Sequence, residues 1–303
     1  MKKFFFKYFA LLIMIVIIIK YVEASISPVK PFYAEEKDCM DVLFFGTSFC
    51  YCSFDPTIFK NYGIESYNLG KAQLTLSWTY YQMHDALKYQ HPDIIILEPY
   101  ATTYKMVKSD DISEGVANAC FDNMNLSLDS IKGAIENVPA KRLPEFIFPI
   151  IRWHNNPEIF KKLGKKKDTN KDLNRGYIRF TEHRDIAKIP TKELLEDTSE
   201  EELYVHSEKE MNDIYNLCKE KDITLIIVRA PFPLETQPQM NALKKWANKK
   251  GIPFLDLIYI HDEIGIDYTL DTLDGMHLNQ NGSEKVSRYV AEWLMNNDYL
   301  SSK

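Results

Sequence analysis

The sequence has no excess of basic residues: 37 lysines and arginines stand against 43 aspartates and glutamates, for a formal net charge of −6. With a pI near 5.7, that balance argues against a general nucleic-acid partner, because a polyanionic backbone selects strongly basic surfaces. No cysteine and histidine spacing resembles a zinc site, so metal-dependent hydrolysis has little support, and no cofactor is implied. Cysteine is scarce, five residues in all, which leaves one unpaired if the others bond. Cys50 and Cys52 stand too close in sequence for an easy disulfide, and read as small packing residues rather than nucleophiles. What is there is a 303-residue chain, 45% hydrophobic and 26% charged, with an ample core for one large domain or one domain with an insertion.

An unbroken apolar run from Phe9 to Ile19 is preceded by Lys2, Lys3 and Lys7 and followed by Lys20. This is the charge layout of a signal peptide or of a short membrane anchor with its amino end inside. The run is short for a span; counted back through Phe4, with Lys7 snorkelling, it makes a transmembrane helix. Val22-Glu23-Ala24 offers a cleavage site. Residues 1–24 are therefore expected as a signal peptide or an N-terminal anchor, and the remainder as extracytoplasmic, held at the cell membrane or secreted. Residues 25–38, with Pro28 and Pro31, read as a linker, and 39–303 as the folded domain.

The stretch Asp41 to Asp55 organises that domain. Val42 to Phe45 is too short and too continuously apolar for an amphipathic helix and runs into Gly46, so it reads as a buried strand ending in a tight turn. Ser48 then lies just past the strand's carboxyl end, the edge of a parallel α/β sheet at which ligands bind. A serine on such a turn presents its hydroxyl outward, and its own N–H can point at a developing oxyanion. Near the other end, Asp274 and His277 stand three residues apart before a helical pattern. That spacing lets the carboxylate accept from one imidazole nitrogen while the other faces out, as a serine nucleophile needs of its base.

With both blocks in hand, the chain resembles the SGNH (GDSL-like) esterases and acyltransferases. Gly46-Thr47-Ser48 is similar to their first block, Gly70 within Tyr67-Asn68-Leu69-Gly70 to the second, and Asp274 with His277 to the last. The third block departs from the family pattern of Gly-x-Asn-Asp after a strand: here the strand Ile94 to Leu97 leads to Glu98-Pro99-Tyr100-Ala101-Thr102. The resemblance implies Ser48 as nucleophile, His277 as base, Asp274 as its partner, and an oxyanion hole from the N–H groups of Ser48 and Gly70. Either Thr102 or Thr103 substitutes as a hydroxyl donor, or the hole rests on the N–H groups of Ser48 and Gly70 alone. Glu98 is read as a carboxylate near the crevice, a partner for a nearby cation rather than a catalytic acid, and is kept as a candidate substrate contact.

Between these blocks, strands alternate with helices. Strands are expected at Ser66 to Leu69, Asp93 to Leu97, Ile223 to Arg229 and Phe254 to Leu257, and helices at Leu74 to Tyr89, Glu208 to Lys221, Gln237 to Lys250 and 281–295. Short links and right-handed crossovers make this a three-layer α/β/α sandwich around a five-stranded parallel sheet, the flavodoxin-like fold that the resemblance also implies. From about 108 to 204 the alternation breaks down, and an insertion or lid is expected there. Within it, Ala117 to Val138 reads as one helix and Tyr177 to Phe180 as a short strand. Lys161 to Arg179 carries eight basic residues and Glu193 to Glu202 is acidic; these are solvated faces that could pair, or a basic patch for an anionic wall polymer or lipid headgroup. Related surface-polysaccharide acyltransferases place polar and aromatic groups of an insertion near the serine, so Arg152, Trp153 and His154 are candidate substrate contacts.

These readings point to an exported serine-dependent O-acyltransferase or esterase acting on acyl, expectedly acetyl, esters of cell-surface carbohydrate through an acyl-enzyme. Its partners would be an acylated carbohydrate or cell-wall polymer, the membrane through the N-terminal segment, and a membrane-bound acyltransferase. The rival reading is a catalytically silent module of the same fold that holds a glycan or such a partner.

Overall fold

In the computed structural model, residues 2–26, 30–105, 114–154, 172–185, 188–232 and 237–300 are described, together with Glu158 and Lys161. Most of the basic run at 162–171 lies outside the described residues.

The chain opens with helix α1 (Lys2–Ile26) and a 3-10 turn at Pro31–Ala34, then runs β1 (Val42–Phe45), α2 (Ser48–Ser53), α3 (Pro56–Lys60), β2 (Ser66–Asn68), α4 (Leu76–Ala86) and β3 (Ile94–Leu97). The region expected as an insertion holds, among the described residues, α5 (Glu114–Asp122), α6 (Leu128–Asn137), α7 (Leu143–Ile147) and α8 (Ile150–Trp153). After the short α9 (Lys192–Leu195), the alternation resumes with α10 (Val205–Glu220), β4 (Thr224–Arg229), α11 (Gln237–Lys250), β5 (Phe254–Asp256), α12 (His261–Ile264) and α13 (Gln280–Asn296).

The strands form one parallel sheet in the order β2-β1-β3-β4-β5. Successive strand residues point to opposite faces, and both faces are covered, which is why the strands read as continuous apolar runs. Leu43, Phe45, Ile95, Leu97, Leu225 and Ile227 enter one core with α4, α10 and α11. Val42, Phe44, Ile94, Ile96, Ile226 and Val228 enter the other with α2, α3 and α13. The protein is thus a three-layer α/β/α sandwich around a five-stranded parallel sheet with flavodoxin-like strand order. The order turns back between β1 and β3, and the crevice at such a reversal is where α/β proteins bind ligands.

Several local expectations differ in detail. Ala117 to Val138 is two helices, because Ser127 and Ser130 form a reciprocal capping box that starts α6 afresh. Tyr177 to Phe180 is extended but joins no strand ladder. Residues 30–38, read as a linker, lie on the domain: Phe32 is buried against Tyr67, and Tyr89 donates to the carbonyls of Tyr33 and Glu35. Among the described residues, Glu200 of the acidic run pairs with Lys245 of α11 and Glu196 with Lys192. A third core of Leu74, Trp78, Tyr81, Phe121, Ala134 and Phe146 joins the outer side of α4 to the inserted helices.

Burial, with Asp213 and Glu136 nearby, pushes the half-buried Glu210 carboxyl up to about 7, against the opposing charge of Lys209. The folded chain then keeps a proton that the unfolded chain, with an ordinary value of 4.5, releases, so stability falls as pH rises through that window. Glu210→Gln is expected to raise Tm by a few degrees at about pH 8 and to leave it unchanged near about pH 4, as followed by thermal denaturation.

Candidate active site

The site grows from the end of β1. Gly46 has φ +148°, and a Cβ there would meet the Cβ of Glu98 at 2.6 Å, so only glycine lets β1 and β3 close together under the turn. Thr47 follows in extended conformation and caps α2, its Oγ1 accepting from the Phe49 N–H at 3.3 Å. Ser48 is therefore the first residue of the helix. Among the described residues no acceptor lies on its N–H, in keeping with the open first turn of any helix.

His277 comes from a tight loop. Leu273 N–H donates to the His277 carbonyl at 2.8 Å, and Asp274 Oδ1 accepts from the N–H groups of Met276 and His277, both at 2.8 Å. His277 Nδ1 lies 3.1 Å from both carboxylate oxygens of Asp274, and Nε2 lies 2.8 Å from Ser48 Oγ. With the proton on Nδ1, the only arrangement a carboxylate acceptor permits, Nε2 is left to accept from the serine hydroxyl. Burial would raise the Asp274 carboxyl, but hydrogen bonds from His277 and Met276 and the charge of His277 outweigh it and hold the group low. The Phe49 ring stacks on the imidazole with centroids 5.2 Å apart, fixing its plane from behind.

The three other expected oxyanion donors are otherwise engaged. Gly70 N–H donates to Asn68 Oδ1 at 3.0 Å. Glycine is required there for a different reason, since a Cβ would lie 2.8 Å from that of Cys50 on α2. Thr102 is buried with its Oγ1 donating to Pro99 O at 2.8 Å, and Thr103 Oγ1 donates likewise to Tyr100 O. The hydroxyls close their own 3-10 turn rather than face the serine. Of the four, the Ser48 N–H alone remains open.

Glu98 is 2% exposed and turned beneath the serine turn. Its Oε2 accepts from Thr47 N–H at 3.1 Å and Thr47 Oγ1 at 2.7 Å, and Oε1 from Tyr100 N–H at 2.8 Å. Burial pushes its carboxyl up, against the pull of those hydrogen bonds and of the Arg229 charge. Arg229, at the end of β4, shares with Glu98 a small cavity behind Phe49, and reaches Gln237 and Asp256 with Nη1.

Arg152 is committed within the insertion. Its Nη atoms pair with both oxygens of Asp122, at 3.0 and 2.6 Å, and Nε donates to Glu145 O at 3.0 Å. His154 Nδ1 bonds the Ile151 carbonyl of its own turn, and Trp153 ends the same short helix. None of the three has a contact among the described residues with Ser48 or His277. Cys50 and Cys52 are buried and in no disulfide, with thiols pushed up by burial, and Cys50 Sγ donates to Asn68 Oδ1 at 3.3 Å.

Two supports escape a reading along the chain. Asn68 sends its amide to the carbonyls of Cys50 and Phe54, at 3.0 and 2.9 Å, and so pins α2 to β2. Its signal is a polar residue inside an apolar strand pattern. The second support is the segment 175–185, which leaves a turn at Arg175 and Gly176 and belongs to no strand or helix. Arg175 O accepts from Asn68 N–H, Ile178 N–H donates to Tyr51 O, Phe180 O accepts from Gln280 N–H, and Arg184 N–H donates to Leu273 O. His183 Nδ1 donates to Thr272 O at 2.6 Å. This strap ties the serine helix to the histidine loop, and no local pattern announces it.

No family model and no curated protein matches the chain. Solved structures do. A protein described as an acylhydrolase, from Bacteroides fragilis, is 12% identical with TM-score 0.40, the match covering 92% of this chain and 96% of that one. An acetyl xylan esterase from the rumen bacterium Butyrivibrio proteoclasticus is 9% identical with TM-score 0.36, covering 88% and 66%. A protein described as a GDSL-like lipase, from Parabacteroides merdae, is 8% identical with TM-score 0.26, covering 88% and 99%. Likenesses this distant carry no assignment of substrate.

In Glu98→Gln, an amide NH₂ must face either the Thr47 or the Tyr100 donors, leaving a buried donor unpaired at a cost of about 1–3 kcal/mol. The variant is expected to fold with a lower Tm, and Ser48 to react about tenfold or more slowly with an activated ester, because a small displacement of the nucleophile is costly.

Proposed function

We propose that the protein is a serine-dependent esterase or O-acyltransferase that works on acyl esters of cell-surface carbohydrate through an acyl-enzyme. The observation that carries the reading is the hydrogen-bonded line from Asp274 through His277 to Ser48, with separations of 3.1 and 2.8 Å. Ser48 Oγ attacks the ester carbonyl while its proton passes to His277 Nε2. The imidazolium so formed is stabilised by Asp274, and the tetrahedral oxyanion accepts from the Ser48 N–H. Collapse expels the alcohol, which takes the proton from Nε2 and leaves the acyl group on Ser48. Water as the second nucleophile regenerates the serine and releases the acid; a sugar hydroxyl yields a new ester. The choice between them depends on exclusion of water from the acyl-enzyme. An apolar N-terminal helix fits action outside the cytoplasmic membrane, where surface carbohydrate is the available ester, and tilts the reading toward transfer.

One observation favours a second reading, a silent glycan- or partner-binding module of the same fold. The N–H of Gly70 and the hydroxyl of Thr102 are both engaged within the protein, so of the expected donors only the Ser48 N–H is left for the oxyanion. Oxyanion donors contribute about 10²–10³ each to rate, and a site short of them is slow.

A fluorophosphonate probe read by intact mass separates the two. One adduct on the full chain, absent in Ser48→Ala and formed about 10²–10⁴ times more slowly in His277→Ala, is expected of the enzyme. A folded protein that takes no adduct and turns over no aryl acetate is the module. With an acylated enzyme in hand, acceleration of deacylation by a glycan that itself becomes acylated assigns transfer.

A further inference from the structure

Helix α1 is continuous from Lys2 to Ile26, and its segment Phe4–Ser25 is long and apolar enough to cross a membrane, with no part of the span's apolar window buried against the domain. Side chains along it point into the surroundings, among them Phe5, Leu12 and Ile17, all more than half exposed. Its last turns behave differently. Glu23 is 5% exposed, and its Oε1 accepts from the Ile150 N–H at the start of α8 at 3.0 Å. Lys20 pairs with Glu23 Oε2 at 2.7 Å, donates to the Ile147 carbonyl at the end of α7, and lies 4.6 Å from the centroid of the Phe148 ring. The end of α1 is thus seated on the corner between α7 and α8.

That corner is firmly joined to the domain. Phe146 is fully buried against Phe121, with the Arg152 guanidinium over its ring and paired to Asp122. The inserted helices continue through Ala134 and Phe121 to Trp78 and Tyr81 on the outer side of α4. Measured from Phe4 at 1.5 Å per residue, Lys20 lies roughly 24 Å and Glu23 roughly 28 Å along the helix axis, against a hydrocarbon thickness of about 30 Å. A corner touching those two residues lies at the outer edge of the hydrocarbon. There Phe148 and Trp153, both half-buried, and the exposed Ile151 have the amphipathic character of residues that settle at headgroup depth.

We propose that α1 is retained in the mature protein and that the α7–α8 corner is a membrane-docking surface whose partner is the lipid bilayer itself, with Phe148, Ile151 and Trp153 in the interface. Cleavage after Ala24 would remove the carboxylate that accepts the Ile150 N–H and the cation over Phe148. The insertion then lies between the bilayer and the α4 layer, and the domain stands on the membrane in one orientation rather than swinging from a flexible stalk.

The test uses the full chain in nanodiscs of phosphatidylcholine and phosphatidylglycerol, with and without bromine on the upper acyl chains. Tryptophan emission is expected to be quenched by the brominated lipid, and that quenching to be lost in Trp153→Phe, because Trp78 and Trp246 are buried and Trp293 packs on the sheet core. Ile151→Asp should weaken the quenching with the fold unchanged by circular dichroism. Equal quenching in wild type and Trp153→Phe, an unquenched wild type, or a mature chain that begins after Ala24 by intact mass would each overturn the proposal. Fluorophosphonate labelling of Ser48 is read separately, so an outcome here leaves the acyl chemistry independently decided.

Discussion

A carboxylate buried beneath a backbone turn is the constraint on which the rest of the site depends. Glu98 leaves β3 where β1 ends, and its two oxygens gather the Thr47 N–H, the Thr47 hydroxyl and the Tyr100 N–H. An ionisable group removed from water is tolerated only when its lone pairs are satisfied, and here two of the three donors that satisfy it belong to Thr47, in the turn that carries Ser48. The Thr47 hydroxyl, by giving its proton to Glu98, is oriented to accept from Phe49 and so to begin α2 at Ser48. The same closeness is why residue 46 must lack a side chain.

The serine and its base reach one another by two further ties. Asn68 fastens the serine helix to β2. Segment 175–185 then crosses from that helix to the loop holding Asp274 and His277. Because Ser48 and His277 are 229 residues apart in sequence, the short bond between them is sustained by these intermediaries rather than by its own strength. A single hydrogen bond contributes only about 1 kcal/mol net.

The insertion has a mechanical place as well. Its residues with the look of ligand contacts, Arg152 above all, are engaged in holding helices to one another. Its outer corner meets the end of α1 and its inner face meets α4, so it works as a spacer between an apolar helix and the sheet.

What was legible in the sequence is what short-range physics writes there. Continuous apolar runs of four residues gave away both-sides-covered strands, and helix periodicity with Gly251 as a stop marked α11 at Gln237–Lys250. Asp274 and His277 could be paired because three residues of a tight loop bring a carboxylate to an imidazole with no help from elsewhere. Ser48 could be placed because a strand running into glycine must turn at the sheet's edge. Only the tertiary structure decided where each donor points. The Gly70 N–H, the Thr102 hydroxyl, the Glu98 carboxylate and the Arg152 guanidinium all have the right chemistry for the site, yet neighbours that come close in the fold claim each of them. Gly70 and Thr102 are engaged by acceptors two and three residues away once a turn closes, and Arg152 and Glu98 by groups 30 and 51 residues away. A hydrogen bond is directional and a few ångströms long, so residue type announces the capacity to make it, while packing alone assigns the partner.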